Sequence, residues 1–355
     1  MTEHGTKTPS LPKTNPSDRV LTMSDIAEAA GVSVMTVSRV LNGRPDVAAA
    51  TRERIQRVVA ERGYARNRAA SALRNGRSGL IDLVVVTLDS AYHLEIIRGV
   101  EERLESTVYR MALSATHGQA QGERQWLAKV IDGSTDGAIL VLADGHAAHL
   151  DRLRQRGIPF VVVDHRGELG SDTPSVGATN WAGGRAATEH LLSLGHRRIG
   201  IVSGTAAMGC SQERLSGYRA ALDAAGLSID PTLCRQGDFR YEDGYRETCA
   251  LLDLPNPPTA IFAGNDMQAV GALNALRARG ISVPADMSIV GFDDVEIATL
   301  VTPALTTIRQ PLAQMGAFAA AMLLLLIAGE PLGSNRVELA TELVVRESCT
   351  VPRQA

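Results

Sequence analysis

The sequence predicts a small all-α helix-turn-helix head followed by a larger α/β body built on parallel sheets. Three observations predict it. Two short amphipathic segments flank one glycine, Gly31. Beyond Gly79, short apolar runs alternate with amphipathic stretches. The charge is also divided: residues 1–78 carry 13 Lys/Arg against 7 Asp/Glu, a net +6, and the remainder carries −9. A length of 355 residues suffices for one small domain and one large two-lobed one.

With 45% hydrophobic and 21% charged residues, the composition is that of a globular protein. Residues 1–19 are rich in Thr, Pro, Ser and Lys, lack the apolar stretch of a signal peptide, and read as a flexible tail. Cys210, Cys234, Cys249 and Cys349 are scattered without metal-ligand spacing, so neither a metal site nor a disulfide framework is expected. The apolar run from Met315 to Ala328 is too short to span a bilayer and reads as a buried helix. A cytoplasmic protein without membrane contact is the expectation. A basic head on an acidic body suggests that the head meets a polyanion.

In the head, Thr22 and Asp25 have the spacing of a capping box, and Ile26, Ala27 and Ala30 share a face. Gly31 breaks this helix. Ser33 is a fitting N-cap for a second helix from Val34 to about Leu41, with Val37, Val40 and Leu41 inward. A third helix from about Ala50 to Arg62 buries Ile55, Val58 and Val59. The second helix is the one suited to a DNA major groove. Its outward residues are Val34, Met35, Thr36, Ser38, Arg39 and Asn42. Arginine can read guanine, apolar side chains can touch thymine methyls, and hydroxyls can hold phosphates.

In the body, Leu80 to Leu88, Ala138 to Leu142, Phe160 to Asp164, Ile199 to Ser203, Ala260 to Ala263 and Ser288 to Phe292 read as buried strands, enough for two sheets. Ligands of open α/β sheets sit beyond the carboxyl ends of the strands. That rule points to Asp89, Ser90, Tyr92 and His93, to Asp144 and His146, and to Asp164 and Arg166. Farther on it points to Asn265 and Asp266, and to Asp293. Asp164 and Asp266 read equally as structural strand-end caps, and His93 and His146 equally as exposed loop residues.

The segment from Thr22 to Gly43, TMSDIAEAAGVSVMTVSRVLNG, closely resembles the DNA-binding head of the lac repressor (LacI/GalR) family of transcriptional regulators. The resemblance continues through TRERI, NRAASAL, GGRAATEHLLSLGHRRIGIVSG, RLSGYRAAL, IFAGNDMQAVGALNALRARGISVPADMSIVGFDD and PALTTIRQP, leaving out only the first twenty or so residues. It implies a helix-turn-helix domain over 20–65, a hinge over 66–78, and a periplasmic-binding-protein-like two-lobed body over 79–355. Lobe one is expected near 79–178 and 310–338, and lobe two near 179–309 and 339–355. It places Val34, Met35 and Arg39 at base-reading positions, with Thr22, Ser33, Thr36, Ser38 and Asn42 around them. The hinge helix would supply Asn67, Arg68, Ala70, Leu73 and Arg74, with Leu73 wedged into the minor groove at the operator centre. Two departures stand out. Ala48 replaces the usual serine cap of the third helix, and Ala65-Arg66 replaces the usual proline before the hinge.

For the body, the resemblance puts Arg214, Phe239, Asn265, Asp293 and Gln310 at effector-contacting positions, with Asp144, Ser90, Tyr92 and His93 beside them. Carboxylates, amides and a guanidinium under an aromatic face suit a polyhydroxylated ligand, a sugar or sugar derivative. The sequence has no G-x-G-x-x-G, P-loop, H-E-x-x-H or G-x-S-x-G motif, so neither an enzyme nor a cofactor is expected. The remaining rival, a secreted sugar-binding protein, would carry no helix-turn-helix. The expected function is a homodimeric repressor of carbohydrate-utilisation genes, bound to a pseudo-palindromic double-stranded operator and released by its effector.

Overall fold

The computed structural model describes residues 21–41, 43–64, 77–131, 135–144, 148–167 and 169–353. Asn42, Asn67, Arg68, Ala70, Leu73, Arg74 and His146 lie outside the described residues, as do the side chains of Asp144 and Arg166. The chain divides into two compact units at Arg77/Ser78.

The first unit is three helices: α1 (Met23–Ala30), α2 (Val34–Leu41) and α3 (Ala49–Glu61). Thr22 and Asp25 complete the capping box at the start of α1. At the other end Gly31, with φ of 62°, donates its N–H to the Ala27 and Glu28 carbonyls. The Ser33 hydroxyl accepts from the Thr36 N–H at 3.1 Å and so caps α2. Ile26, Ala27, Ala30, Val37, Val40, Ile55 and Tyr64 form one core.

The second unit holds two six-stranded sheets. The first lobe runs β1 (Leu80–Val85), α4 (Ala91–Glu105), β2 (Arg110–Ala115), α5 (Ala120–Lys129), β3 (Gly137–Asp144), α6 (Ala148–Gln155), β4 (Phe160–Arg166) and β5 (Ser175–Ala178). The second runs α7 (Asn180–Ser193), β6 (Ile199–Ser203), α8 (Gly209–Ala224), β7 (Cys234–Gln236) and α9 (Tyr241–Leu252). It continues through β8 (Ala260–Ala263), α10 (Asp266–Ala278), β9 (Ser288–Asp293), α11 (Ile297–Leu300) and β10 (Thr306–Arg309). The chain then returns to the first lobe as α12 (Leu312–Ala328) and β11 (Arg336–Leu339), and ends in the second as β12 (Glu342–Val344).

The strand orders are β11-β5-β4-β3-β1-β2 and β12-β10-β9-β8-β6-β7. Every pairing is parallel except β10 with β12. In each sheet the order reverses beside its first strand, between β1 and β3 and between β6 and β8. Those switch points are where open α/β sheets leave a crevice.

The chain crosses between lobes around Thr179, Gln310 and Thr341. Thr179 donates its N–H to the Leu339 carbonyl at 2.9 Å and accepts from the Thr341 N–H at 3.0 Å, which ties the first crossing to the third. The helix α12 buries Leu312, Met315, Ala319, Ala320, Met322 and Leu323 against the first sheet. Its Phe318 and Leu325 are exposed, so it is not the fully buried helix that its apolar sequence suggests.

Candidate functional site

On the head, α2 turns Val37 and Val40 inward and leaves its opposite side open. Val34 is 41% and Met35 66% exposed, an unusual place for large apolar side chains. Arg39 is exposed beside them, with Asp46 at 3.6 Å, an ion pair too open to hold it firmly. Thr36 and Ser38 are half-buried on the same helix. Thr22 and Ser33 are exposed and already serve as caps. The outward side of α2 thus presents a guanidinium, hydroxyls and two apolar contacts, the set that can read base edges.

In the body the facing ends of the two sheets gather Tyr92, Asp164, Arg214, Phe239, Asn265, Asp293 and Gln310. Arg214 is at the centre and is buried. It stands on α8, which approaches α7 unusually closely. A methyl group at Gly184 would lie 2.3 Å from the Arg214 carbonyl oxygen, and one at Gly217 would lie 2.1 Å from that of Trp181. Only glycine permits that approach. The Arg214 Nε donates to Asn180 Oδ1 at 2.9 Å and Nη1 to the Gly264 carbonyl at 2.7 Å. Asp293 Oδ1 is 3.7 Å from Nη1. The guanidinium lies 3.7 Å over the Phe292 ring and 5.4 Å from that of Phe239, with cation–π attraction to both.

Asp293 ends β9 with φ of 113°. Among the described residues, the non-glycine residues with positive φ are His117, Leu142, Asp164, Phe239, Asp293 and Asp294, each within the last three residues of a strand or within three residues beyond its carboxyl end. Backbone strain of this kind concentrates at functional sites. Asp293 Oδ1 accepts from Gln310 Nε2 at 2.6 Å. Burial pushes its carboxyl up to about 6, opposed by Arg214 and the Gln310 hydrogen bond and assisted by Asp164. Asp164 accepts from the Tyr92 hydroxyl at 2.6 Å, and burial raises its carboxyl too.

The other expected residues fall differently. The Asn265 side chain caps α10 by accepting from the Gln268 N–H at 2.9 Å, and its Nδ2 donates to the Phe239 carbonyl at 3.1 Å. It therefore holds Phe239, whose ring lies against Gly204 and Gly264. Asp266 is wholly buried and bonded to Thr307 Oγ1 and the Val295 N–H, a structural cap. His93 is buried in the first turn of α4, edge-on to Tyr92 at 5.5 Å, and is no exposed loop histidine. Burial pushes its pKa down to about 4, which keeps the ring uncharged. Ser90 precedes α4 without capping it through its side chain. Asp89 is exposed, and a hydrogen bond from Thr87 lowers its pKa. Sequence reasoning missed Asn180 and Phe292, which hold Arg214. The one signal available was that Phe292 immediately precedes Asp293.

Residues 22–67 match the model described as "Bacterial regulatory proteins, lacI family", and residues 188–349 match "Periplasmic binding protein-like domain". The chain is 35% identical over 332 residues to the HTH-type transcriptional regulator DegA of Bacillus subtilis, covering 92% of this chain and 97% of that protein. The chain belongs to the LacI family.

Solved LacI-family structures are similar along nearly the whole length. The transcriptional regulator CelR in complex with cellobiose superposes with a TM-score of 0.73 at 34% identity, over 92% of this chain and 99% of that one. The lac repressor dimer bound to operator and the anti-inducer ONPF gives 0.82 at 29%, over 94% and 100%. This LacI-family chain is a DNA-binding transcriptional regulator with a helix-turn-helix head and a two-lobed α/β body. The family consists of regulators rather than enzymes. Among the described residues, no helix is long and apolar enough to cross a membrane.

Proposed function

We propose that this chain represses carbohydrate-utilisation genes from a pseudo-palindromic operator and is released by a small sugar or sugar derivative. It acts in the cytoplasm as a homodimer and catalyses nothing. The observation that carries the reading is the Arg214, Asp293 and Gln310 cluster, set between two lobes that three chain crossings join. A ligand seated there bridges the lobes, and one that prefers the closed arrangement shifts the equilibrium between arrangements. The similar CelR structure holds cellobiose, and the similar lac repressor structure holds operator DNA with an anti-inducer. In this chain Val34, Met35 and Arg39 read bases, and the segment around Leu73 docks in the minor groove.

Fluorescence anisotropy tests it, using purified chain, DNA from upstream of its own gene, and a panel of mono- and disaccharides. A sugar that releases the DNA is the expected result. A compound that tightens the complex replaces induction by corepression. Bound DNA that answers to no compound removes the sensing role.

A further inference from the structure

The cleft cluster is unbalanced in charge and in hydrogen-bonding character. The Asp164 carboxylate adds to the burden on buried Asp293, and among the described residues Arg214 is the one guanidinium that acts on both. Its Nε and Nη1 are already committed to Asn180 and Gly264, and aromatic rings flank it. Gln310 spends its Nε2 on Asp293, which leaves Oε1 buried with no hydrogen-bond partner, and the residue is only 4% exposed. A buried acceptor without a donor is costly, and a bound molecule that supplies the donor removes the cost. Arg240 is exposed and acts on Asp89, and it is not among the groups that act on the inner pair. In water its field is screened.

We propose that this cleft takes an uncharged ligand rich in adjacent hydrogen-bond donors and rejects the phosphate ester of the same molecule. The inference rests on the reading of the cleft as the effector site. Vicinal hydroxyls of a free sugar or of a nucleoside ribose supply the donors that Gln310 Oε1, Asp293 and Asp164 require. A phosphate brings acceptors and negative charge to two desolvated carboxylates that already share one cation.

The test is calorimetric titration of the full chain at pH 7.5 with matched pairs: ribose and ribose 5-phosphate, cellobiose and its 6-phosphate, adenosine and adenosine monophosphate. At least one uncharged member binds, with its ester weaker by on the order of 100-fold. The sugar and nucleoside arms identify the source of the hydroxyls. Asp164→Asn narrows the gap between parent and ester at least about tenfold, and Asp293→Asn serves the same purpose if D164N does not fold. An ester that binds as tightly as its parent, a gap that neither variant changes, or the absence of any uncharged binder overturns the proposal. Anisotropy on the upstream DNA separates the two readings. A preferred ester that releases DNA sinks the selectivity and leaves the sensor standing. Intact DNA binding with no ligand of either kind sinks both.

Discussion

Asp293 and Gln310 are joined twice across the point where the chain leaves the second lobe for the first. The Gln310 N–H donates to the Asp293 carbonyl at 3.2 Å, and its side-chain amide donates to the carboxylate at 2.6 Å. The group that best fits a ligand contact is thereby fixed to a hinge segment. Any change in its charge or occupancy is felt where the lobes are connected.

Asp293 titrates in a measurable window. Its folded pKa of about 6 exceeds the roughly 3.9 of an unfolded aspartate. Between those values the folded body keeps a proton that the unfolded chain has released. The group's contribution is therefore fully present below about pH 4 and is lost as pH rises through about 6. Asp293→Asn cannot titrate. Relative to the parent it should gain on the order of 2–3 kcal/mol between pH 4 and pH 7.5, measured by urea denaturation at several pH values. A constant difference across that range refutes the assignment.

Arg214→Met should be among the most damaging changes in the body. It leaves Asp164 and Asp293 buried without their shared cation and removes the donors to Asn180 and Gly264. Breaking a buried charge cluster in this way costs about 3–5 kcal/mol. Denaturant unfolding gives the number, and a loss under about 1 kcal/mol would mean that the carboxylates find other partners.

The central strands were legible because they are buried on both faces. Ile199–Ser203 and Ala260–Ala263 appear in sequence as uninterrupted apolar runs with the bounds found in the structure. The edge strand Arg110–Ala115 was not legible, since its residues are half-buried or exposed and mix polar with apolar. Ser175–Ala178, Arg336–Leu339 and Glu342–Val344 are too short to show a period. Asp164, Asn265 and Asp293 stood out from their places after strands. Arg214 and Gln310 came only through family resemblance, because no spacing joins a residue inside α8 to one at a lobe crossing. The double duty of Asn265, capping one helix while holding Phe239, is a three-dimensional fact that no local pattern carries.

Gly316→Ala should destabilise the first lobe. The helices α4 and α12 meet where a methyl at Gly316 would lie 2.2 Å from the Ile96 carbonyl oxygen. Backbone cannot yield as a side-chain end can, so a cost of about 1–3 kcal/mol is expected. Gly333→Ala is the control: nothing lies within 4 Å of a methyl there, and a change within about 0.5 kcal/mol is expected. Equal effects on Tm would show that the helix pair is free to move apart.

Leu73→Ala addresses the hinge at a position that lies outside the described residues. A minor-groove wedge is used only on DNA that it can kink, so its removal weakens specific binding selectively. We expect a loss of about tenfold or more on the operator, with binding to random duplex nearly unchanged. Anisotropy on both duplexes at one salt concentration distinguishes this from a general loss, in which the two fall together.

Ala48 is the N-cap of α3, and its φ of −54° and ψ of 139° suit a capping residue, yet it offers no side-chain acceptor. Its carbonyl takes the N–H groups of Thr51 and Arg52, while the amides at the start of the helix receive no side-chain partner from position 48. Ala48→Ser supplies one and should stabilise the head by about 1 kcal/mol. Hydrogen exchange in the full chain reads the gain directly, as roughly fivefold slower exchange of the α3 amides if the head opens as a unit. Thr22→Ala removes the capping box of α1 and should move the same amides in the opposite direction by a similar factor. If A48S slows nothing, solvent already satisfies those donors, and the missing cap costs the head no stability.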